Sequence, residues 1–474
     1  MPPKTRRQAA RDSISRGFSD NTVTRVIAEG QLPKGAKPRP PPQDISADLT
    51  VNATAGPARR DSEWDEPVEL PTFTIDLALP PEQRWLEVCT AMQDEIQGIT
   101  GLFDEVVGGM LPFLPLRWVH RICAFFLRGI ANKEENRELK GVSAATGVGI
   151  YLLVCLNVLL DIFLGCSSGG VRVRDPDSGA KMVHFRTLDW GMPALRRILV
   201  RLDYKYGTDG DVFASVITYA GFTGVLTGVR KDLSMSLNFR PNHNDSHLRW
   251  ANFQYRWQQA MVMLGFRPSI ASRLRECLLT PTLSLSKREE TLRSQLSQAS
   301  YDQIIHHMSG YTLSTTSCYL IFINGTSTTI LERDRISARK RSDAQFIIAT
   351  NSDQDATIDE PEEETSTTTT TNPSDGIPKE KPPIQRATLA EIIRDAKDRA
   401  QCAESNYNKR LAQSERGVLG IGDVVEMIQL YPTTNETTHF ACVMDPREGR
   451  VVWCRAWMEP VGARWIRAHL SDAY

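Results

Sequence analysis

A long apolar run followed almost at once by a cysteine is the feature that most constrains this chain. The run extends from Val148 to Leu164, and it is interrupted only by Asn157 and Asp161. A membrane-spanning helix needs about 20 apolar residues with few polar interruptions, so the run indicates a buried core element. Strand-like sequence begins at Cys166, which predicts a thiol at the entrance to a strand.

Strand patterns dominate the centre of the chain, and helical patterns flank it. A turn cluster at 175–179 separates two strand-like segments and predicts a hairpin after Cys166. Helices before and after the strands predict an α+β layered sandwich. The remaining predicted strands are 71–79, 212–219, 225–229, 233–239, 317–323, 328–332, 344–350, 439–444 and 450–458, and the predicted helices are 82–102, 114–130, 249–308 and 387–411.

Two segments have the composition of disordered polypeptide. Residues 1–68 form a basic, proline-rich tail whose first 40 positions carry nine Lys/Arg against three Asp/Glu. Residues 354–385 form an insertion with eight acidic residues against two lysines, together with a run of threonines. Neither segment has enough apolar residues to form a core, so both are predicted to be disordered.

The composition argues against several classes of function. The net charge is −1, which indicates no nucleic-acid partner. The nine cysteines are widely spread without a Cys-x-x-Cys pair, so no disulfide framework, metal site or cofactor is predicted. The basic N-terminus is not followed by an apolar segment, so no signal peptide is predicted. The compartment stays open, with a cytoplasmic location among the alternatives.

Cys166 can supply an active site if it becomes the first residue of a fragment. Its α-amine could then take the thiol proton, and no catalytic histidine would be needed. Arg186 would favour the thiolate, Asp189 would orient the α-ammonium, and Asn351 would donate to an oxyanion. Structural explanations remain open for each residue. Cys166 could be a buried structural thiol, Arg186 and Asp189 a surface ion pair, and Asn351 a turn residue. A papain-like dyad with His184 is the less favoured enzymatic alternative.

The order of these motifs resembles the acid ceramidase and N-acylethanolamine-hydrolysing acid amidase family. Thr72-Phe-Thr-Ile-Asp-Leu-Ala-Leu-Pro-Pro-Glu-Gln-Arg-Trp85 is similar to the N-terminal signature of that family. Arg186-Thr-Leu-Asp-Trp-Gly191 and Tyr219-Ala-Gly-Phe-Thr-Gly224 are similar to its central motifs, and Ala349-Thr-Asn-Ser-Asp353 to a later one. The likeness covers residues 70–353, and 386–458 more loosely.

The resemblance implies a four-layer αββα sandwich, the N-terminal-nucleophile hydrolase fold. It implies self-cleavage at Gly165-Cys166 into an α-subunit-like region, 69–165, and a β-subunit-like catalytic region, 166–474. It also implies hydrolysis of a lipid amide, with ceramide first and N-acylethanolamine as the alternative. Cys166 would be the nucleophile, Arg186 and Asp189 its polar partners, Asn351 the oxyanion donor, and Arg399 a further arginine of the site.

Some features depart from the family pattern. The family's Asn-Glu-Arg is Asn238-Phe-Arg240 here, so a glutamate contact to substrate is missing. A lysosome-like or vacuolar location is implied by the resemblance alone. The helix at 114–130 carries aromatic residues beside arginines and is a candidate for contact with lipid aggregates. Residues 114–126 within it are a candidate rim for an acyl groove. Two other hypotheses remain: a choloylglycine- or penicillin-acylase-like amidase, and a catalytically silent lipid-binding or scaffold homologue.

Overall fold

Two β-sheets packed face to face form the centre of the computed structural model. The structure describes residues 67–110, 114–159, 165–241, 243–244, 246–279, 300–311, 313–354, 389–414 and 416–471. Within these residues the larger sheet has eight strands in the order β1-β4-β5-β6-β7-β8-β9-β10, and the smaller has five in the order β11-β2-β3-β12-β13. The predicted tail (1–68) and insertion (354–385) lie almost entirely outside the described residues.

Along the chain, β1 and β4 to β10 form the larger sheet, and β2, β3 and β11 to β13 form the smaller. Their bounds are β1 Thr72–Asp76, β2 Gly165–Asp175, β3 Gly179–Asp189, β4 Leu199–Lys205, β5 Ala214–Tyr219, β6 Thr227–Arg230, β7 Leu233–Phe239, β8 Cys318–Ile323, β9 Thr328–Arg333, β10 Ala338–Asp343, β11 Phe346–Ala349, β12 Thr438–Asp445 and β13 Arg450–Ala456. All pairings between these strands are antiparallel except that of β1 with β4.

Helices cover the outer face of each sheet. Their bounds are α1 Leu86–Ala91, α2 Gln93–Gln97, α3 Ile99–Met110, α4 Leu116–Phe126, α5 Lys133–Thr146, α6 Ile150–Leu159, α7 Arg249–Met263, α8 Ile270–Leu279, α9 Tyr301–Ser309, α10 Leu389–Gln413, α11 Ile421–Gln429 and α12 Ala463–Ala468. Helices α1, α8 and α9 contact strands of the larger sheet. Helices α10 and α11 contact the smaller sheet. The predicted αββα sandwich is therefore confirmed.

The inner faces of the sheets meet along β2, β3, β7 and β8. Glycine at position 170 permits the close approach of β2 to the opposite sheet, because a Cβ atom there would lie 1.8 Å from Thr328 Oγ1 of β9. The hairpin β2–β3 pairs Gly165 with Asp189 and Cys166 with Leu188. This register places Cys166, the second residue of β2, beside the end of β3, which carries Arg186 and Asp189.

The helical segment predicted at 82–102 is not one continuous helix. A 3-10 turn at Pro81–Gln83 is followed by α1, α2 and the start of α3. Arg84 at the first break is buried and bonds the Leu77 and Leu79 carbonyls and the Glu138 carboxylate. These contacts hold the chain in place between the 3-10 turn and α1. The described part of the apolar run before Cys166 contains α6, which is buried as predicted.

The sequence patterns missed β4, β10, α5, α11 and α12. They identified the hairpin β2–β3 and the final pair β12–β13. Among the described residues, none of the helices combines the length and apolar character that crossing a bilayer requires.

Candidate active site

Cys166 lies fully buried at the beginning of β2, between the two sheets. Its backbone N–H donates to Asn351 Oδ1 at 2.8 Å, and its Sγ lies 3.9 Å from the Leu237 carbonyl oxygen in β7. Arg186 Nη2 is 3.3 Å from Sγ. The thiol therefore lies beside a guanidinium, and Asn351, 185 positions along the chain, holds the backbone nitrogen.

Arg186 is surrounded by neutral groups and the thiol. Its Nη1 donates to Asn238 Oδ1 at 3.1 Å and to Ser168 Oγ at 3.3 Å, and its Nη2 donates to the Leu237 carbonyl at 2.9 Å. The side chain is fully buried. No carboxylate among the described residues lies within ion-pair distance of it. A buried charge without a counter-charge is costly, so a Cys166 thiolate would supply the counter-charge that this site otherwise lacks.

Arg399 joins the other predicted residues into the same cluster. From α10 its Nη1 donates to Asp189 Oδ2 and to Ser167 Oγ, both at 3.0 Å, and its Nη2 donates to Asn351 Oδ1 at 2.9 Å. Its Nε lies 3.2 Å from Asp395 Oδ2 one turn earlier. The structure therefore brings all five predicted residues into one connected network, because Arg399 connects Asp189 and Asn351, and Asn351 connects to Cys166.

Two details differ from the predicted contacts. Asn351, rather than Asp189, accepts from the Cys166 nitrogen in this continuous chain, while Asp189 accepts from Thr438 Oγ1 at 2.6 Å and from Arg399. Asn351 Nδ2 donates to the Phe239 carbonyl at 2.7 Å. The role of Asn351 as an oxyanion donor stays a prediction, since here its amide oxygen is the atom directed at Cys166.

Sequence reasoning missed four neighbours of the cluster: Ser167, Ser168, Asn238 and Thr438. Ser167 and Ser168 directly follow Cys166, so their proximity was readable from the sequence. Asn238 is held by Ser168 Oγ at 2.8 Å and by the Ala349 carbonyl at 2.9 Å. Thr438 reaches Asp189 across the β12–β3 pairing, and no pattern in the sequence around it indicates this contact.

Burial dominates the protonation of the site. It raises the pKa of the Cys166 thiol to about 11, with the positive charge of Arg186 acting against it. Burial also raises the pKa of Asp189 to about 6, and the Arg399 guanidinium opposes that shift. In the continuous chain the thiol is therefore protonated at neutral pH. A change that opens the site to water would remove the largest cause of both shifts.

His184 does not form a dyad with Cys166. Its Nδ1 is 3.0 Å from Ser234 Oγ and its Nε2 is 2.9 Å from Ser236 Oγ, so both ring nitrogens bond hydroxyls of β7. Burial lowers the pKa of this imidazole to about 3. His184 is thus a neutral residue that joins the two sheets.

Arg240, in the segment that departs from the family pattern, is paired within the protein. Its Nε and Nη2 donate to the two carboxylate oxygens of Asp353 at 2.8 and 2.6 Å. Tyr319 Oη also donates to Asp353 at 2.7 Å. This bidentate pair ties the end of β7 to the segment that follows Asn351, and it fixes the strand end that contributes Asn238 and the Phe239 carbonyl.

A four-layer αββα sandwich in which a cysteine lies at the start of a central strand has the fold of an N-terminal-nucleophile hydrolase. Residues 68–133 match a family model described as the beta subunit of N-acylethanolamine-hydrolyzing acid amidase. Part of the chain is similar to the acid ceramidase and N-acylethanolamine-hydrolysing acid amidase family, which confirms the resemblance seen in the sequence. The matched residues lie upstream of Cys166, in the region predicted as α-subunit-like, so the assignment of subunits stays a prediction.

Individual relatives are similar to part of the chain. The N-acylethanolamine-hydrolyzing acid amidase of Caenorhabditis elegans is 30% identical over 182 residues, which are 35% of this chain and 47% of that protein. The acid ceramidase of Homo sapiens is 25% identical over 197 residues, 38% of this chain and 48% of that protein. The chain thus spans about half the length of the curated relatives it matches. A solved structure of the C. elegans amidase ortholog covers 60% of this chain and 93% of its own, at 20% identity and a TM-score of 0.37.

Proposed function

We propose that this chain is an amidohydrolase that cuts the amide bond of a lipid N-acyl amino alcohol, with ceramide as the first candidate substrate. The observation that carries the proposal is the contact between Arg186 and Cys166. A fully buried guanidinium lies 3.3 Å from the thiol sulfur and has no carboxylate partner among the described residues. Such a site favours a thiolate over a thiol once the thiol proton has an acceptor.

Self-cleavage would supply that acceptor. Cys166 Sγ adds to the carbonyl carbon of Gly165, the peptide C–N bond breaks, and the thiol proton passes to the Cys166 nitrogen. Water then hydrolyses the resulting thioester, which frees the thiol and leaves a carboxylate on Gly165. The nitrogen released is the atom that now donates to Asn351 Oδ1, so the new α-amine would already be oriented in the site.

Substrate turnover would repeat this chemistry on a lipid amide. The α-amine takes the proton of the Cys166 thiol, the thiolate attacks the amide carbonyl, and the amino alcohol leaves with that proton. Water then attacks the thioester and releases the fatty acid. Arg399 would hold Asp189 and Asn351 in position throughout, because it bonds both residues in the present structure.

N-acylethanolamine is the second candidate substrate. The family model and the C. elegans relative are both named for hydrolysis of N-acylethanolamines. Both substrate types present a long acyl chain on one side of the amide and a small hydroxylated group on the other. The site residues act on the amide itself, so they are compatible with either substrate. A turnover assay distinguishes the two.

The function is tested by turnover of ceramide and N-acylethanolamine presented in detergent micelles, after incubation of the protein at acidic and at neutral pH. We expect release of fatty acid from at least one lipid amide, together with a new fragment that begins at Cys166. Faster turnover of a polar N-acyl amino acid than of either lipid would favour the choloylglycine- or penicillin-acylase-like alternative. An uncut chain without turnover under both conditions would contradict the proposal and favour the silent homologue.

A set of exposed aromatic and aliphatic side chains supports contact with a lipid surface. We name this set the aromatic surface. It comprises Trp118, Ile122, Phe125 and Phe126 on α4, Trp250, Phe253 and Trp257 on α7, and Phe266 after α7, each at least half exposed. Arg121 lies over the Trp118 ring and Arg128 over the Phe125 ring, at 5.3 and 4.9 Å from the centroids. Large exposed apolar patches with basic borders favour binding to membrane interfaces.

The two helices of the aromatic surface belong to one side of the molecule. Both α4 and α7 contact α6. The loops that follow them also meet, since a Cβ atom on Gly265 would lie 2.5 Å from the Gly129 carbonyl oxygen. We therefore propose that α4 and α7 bind a lipid surface together, which would bring the enzyme to a substrate that resides in membranes or lipid aggregates.

Replacing Phe125 and Phe126 with glutamate is expected to weaken binding to anionic phospholipid vesicles by at least about tenfold, since two apolar anchors become charged. The measurement is sedimentation of protein with vesicles. Tyr311→Glu, which changes an 80% exposed aromatic residue outside α4 and α7, serves as the matched control. Equal binding of the double variant and wild type would contradict a role for α4, and the same loss in Tyr311→Glu would mean that added charge alone explains the effect.

A further inference from the structure

A pair of cysteines lies where α4 and α6 contact each other, outside the candidate active site. Cys123 on α4 lies one helical turn after His120, and Cys155 on α6 lies one turn after Tyr151, whose Oη is 2.7 Å from His120 Nδ1. The two thiols also shift each other's pKa. The two side chains differ in access, since Cys155 is 8% exposed and Cys123 is only half-buried. Two of the nine thiols thus lie on adjoining helices, at the same level of the contact between α4 and α6.

Neighbouring side chains fix the position of Cys123. His120, one helical turn earlier, hydrogen-bonds Tyr151 Oη at 2.7 Å on α6 and Asp104 Oδ1 at 2.6 Å on α3. Phe103 packs on the His120 ring at 5.0 Å between centroids. Because these contacts hold α4 against α3 and α6, Cys123 lies on the face of α4 that packs against the other two helices.

The two thiols are suited to different steps of one reaction. The Cys155 side chain lowers the pKa of Cys123 to about 7. The Cys123 side chain, together with burial, raises the pKa of Cys155. Cys123 is therefore the more acidic and the more exposed of the two thiols. Since the thiolate is the nucleophile in thiol oxidation, Cys123 is the attacking thiol and Cys155 the resolving one.

We propose that Cys123 and Cys155 form a reversible intramolecular disulfide on exposure to hydroperoxides, and that this bond ties α4 to α6. The Cys123 thiolate attacks one peroxide oxygen, the O–O bond breaks, and hydroxide leaves. The Cys155 sulfur then attacks the Cys123 sulfur, the S–O bond breaks, and the Cys155 proton leaves with the hydroxyl as water. Two thiols are oxidised to a disulfide and one hydroperoxide is reduced.

A disulfide here would stiffen the helix that carries part of the aromatic surface. Helix α4 is attached mainly through α3 and α6, and a covalent link would suppress its local opening. We expect amide hydrogen exchange in 116–126 to slow by on the order of tenfold in the oxidised protein. The bond would not require catalytic activity, so the inference is separable from the proposed function.

The test treats the folded full-length protein with hydrogen peroxide, blocks remaining thiols, and maps tryptic peptides without reduction. We expect peptide 122–128 joined to the peptide that begins at Gly141, with loss of two hydrogen atoms and reversal by dithiothreitol. Because that second peptide also contains Cys166 in an uncut chain, the map is repeated in Cys166→Ala, where the link should persist. It should disappear in Cys123→Ser and in Cys155→Ser, two substitutions that differ in burial.

Cys442 and Cys454 provide an internal control. They pair across β12 and β13, yet burial raises the pKa of Cys454 to about 12 and that of Cys442 well above its ordinary value. We expect this second pair to stay reduced at the peroxide dose that links Cys123 to Cys155. The proposal fails if both pairs oxidise at the same rate, if Cys123 oxidises alone while Cys155 keeps its thiol, or if the link survives Cys155→Ser.

Discussion

Cys166→Ala is expected to leave the chain uncut and to lower amide hydrolysis by at least about 10³-fold. Both reactions use the same sulfur atom, and removal of a covalent nucleophile removes the whole pathway rather than one contact. Arg186 would lose the one partner of its Nη2 that can carry negative charge. Cys166→Ser should retain slow self-cleavage at most, because a serine hydroxyl ionises far less readily than a thiol.

The measurement is intact mass together with the turnover of a lipid amide, each after incubation at acidic and at neutral pH. Cys277→Ala is the matched control, since this thiol is also buried but lies on α8, outside the site cluster. We expect the control to cut itself and to turn over substrate within about twofold of wild type. Cleavage at Gly165-Cys166 in the alanine variant would contradict the proposed nucleophile, and so would unchanged turnover.

The sequence allowed prediction of those parts of the fold that depend on local pattern. The hairpin β2–β3 was predictable because a turn cluster at 175–179 separates two strand patterns, and α6 because its apolar run needed burial. Strand β10 was not, because it is an edge strand with the sequence Ala338-Arg-Lys-Arg-Ser-Asp343. Edge strands need no apolar face and often carry charges, and β10 is held through its backbone pairing with β9.

The site was predictable only in part, for a related reason. Arg186 and Asp189 follow Cys166 by a single hairpin, so local sequence placed them near the thiol. Arg399 came from family resemblance alone, since the contact with Ser167 joins residues 232 positions apart. Nothing in the local pattern of α10 distinguishes Arg399 from Arg410, which lies at the helix surface. Thr438 and the orientation of the Asn351 amide depend on how the two sheets pack, which no local pattern contains.

Arg399→Met is expected to lower turnover by about 10²–10³-fold and to destabilise the protein by about 3–5 kcal/mol near pH 8. The substitution leaves Asp189 buried with Thr438 but without its guanidinium partner. It also removes one of the donors that hold Asn351 Oδ1. Arg399→Lys should recover part of the stability and less of the activity, because a single ammonium group cannot reproduce both arms of a guanidinium.

The pH dependence of this loss provides a sharper test than its size. Burial already raises the pKa of Asp189 to about 6, above its value in an unfolded chain, and removal of Arg399 raises it further. A carboxyl whose pKa is raised on folding contributes stability below its unfolded pKa and loses it as pH rises through the folded pKa. The deficit of Arg399→Met relative to wild type should therefore be smaller at pH 5 than at pH 8, when measured by urea unfolding.

Arg410→Met on the same helix is the control for Arg399→Met. Arg410 pairs with Glu426 at 2.8 Å, and Glu426 is mostly exposed, so its loss should cost less than about 1 kcal/mol. The cost should also change little between pH 5 and pH 8, since neither partner is deeply buried. An Arg399→Met deficit as small as that of Arg410→Met, or one that grows as pH falls, would mean that Arg399 does not hold a charged Asp189 in the folded protein. Arg399 would then be a packing residue of α10, and its place in the active site would be withdrawn.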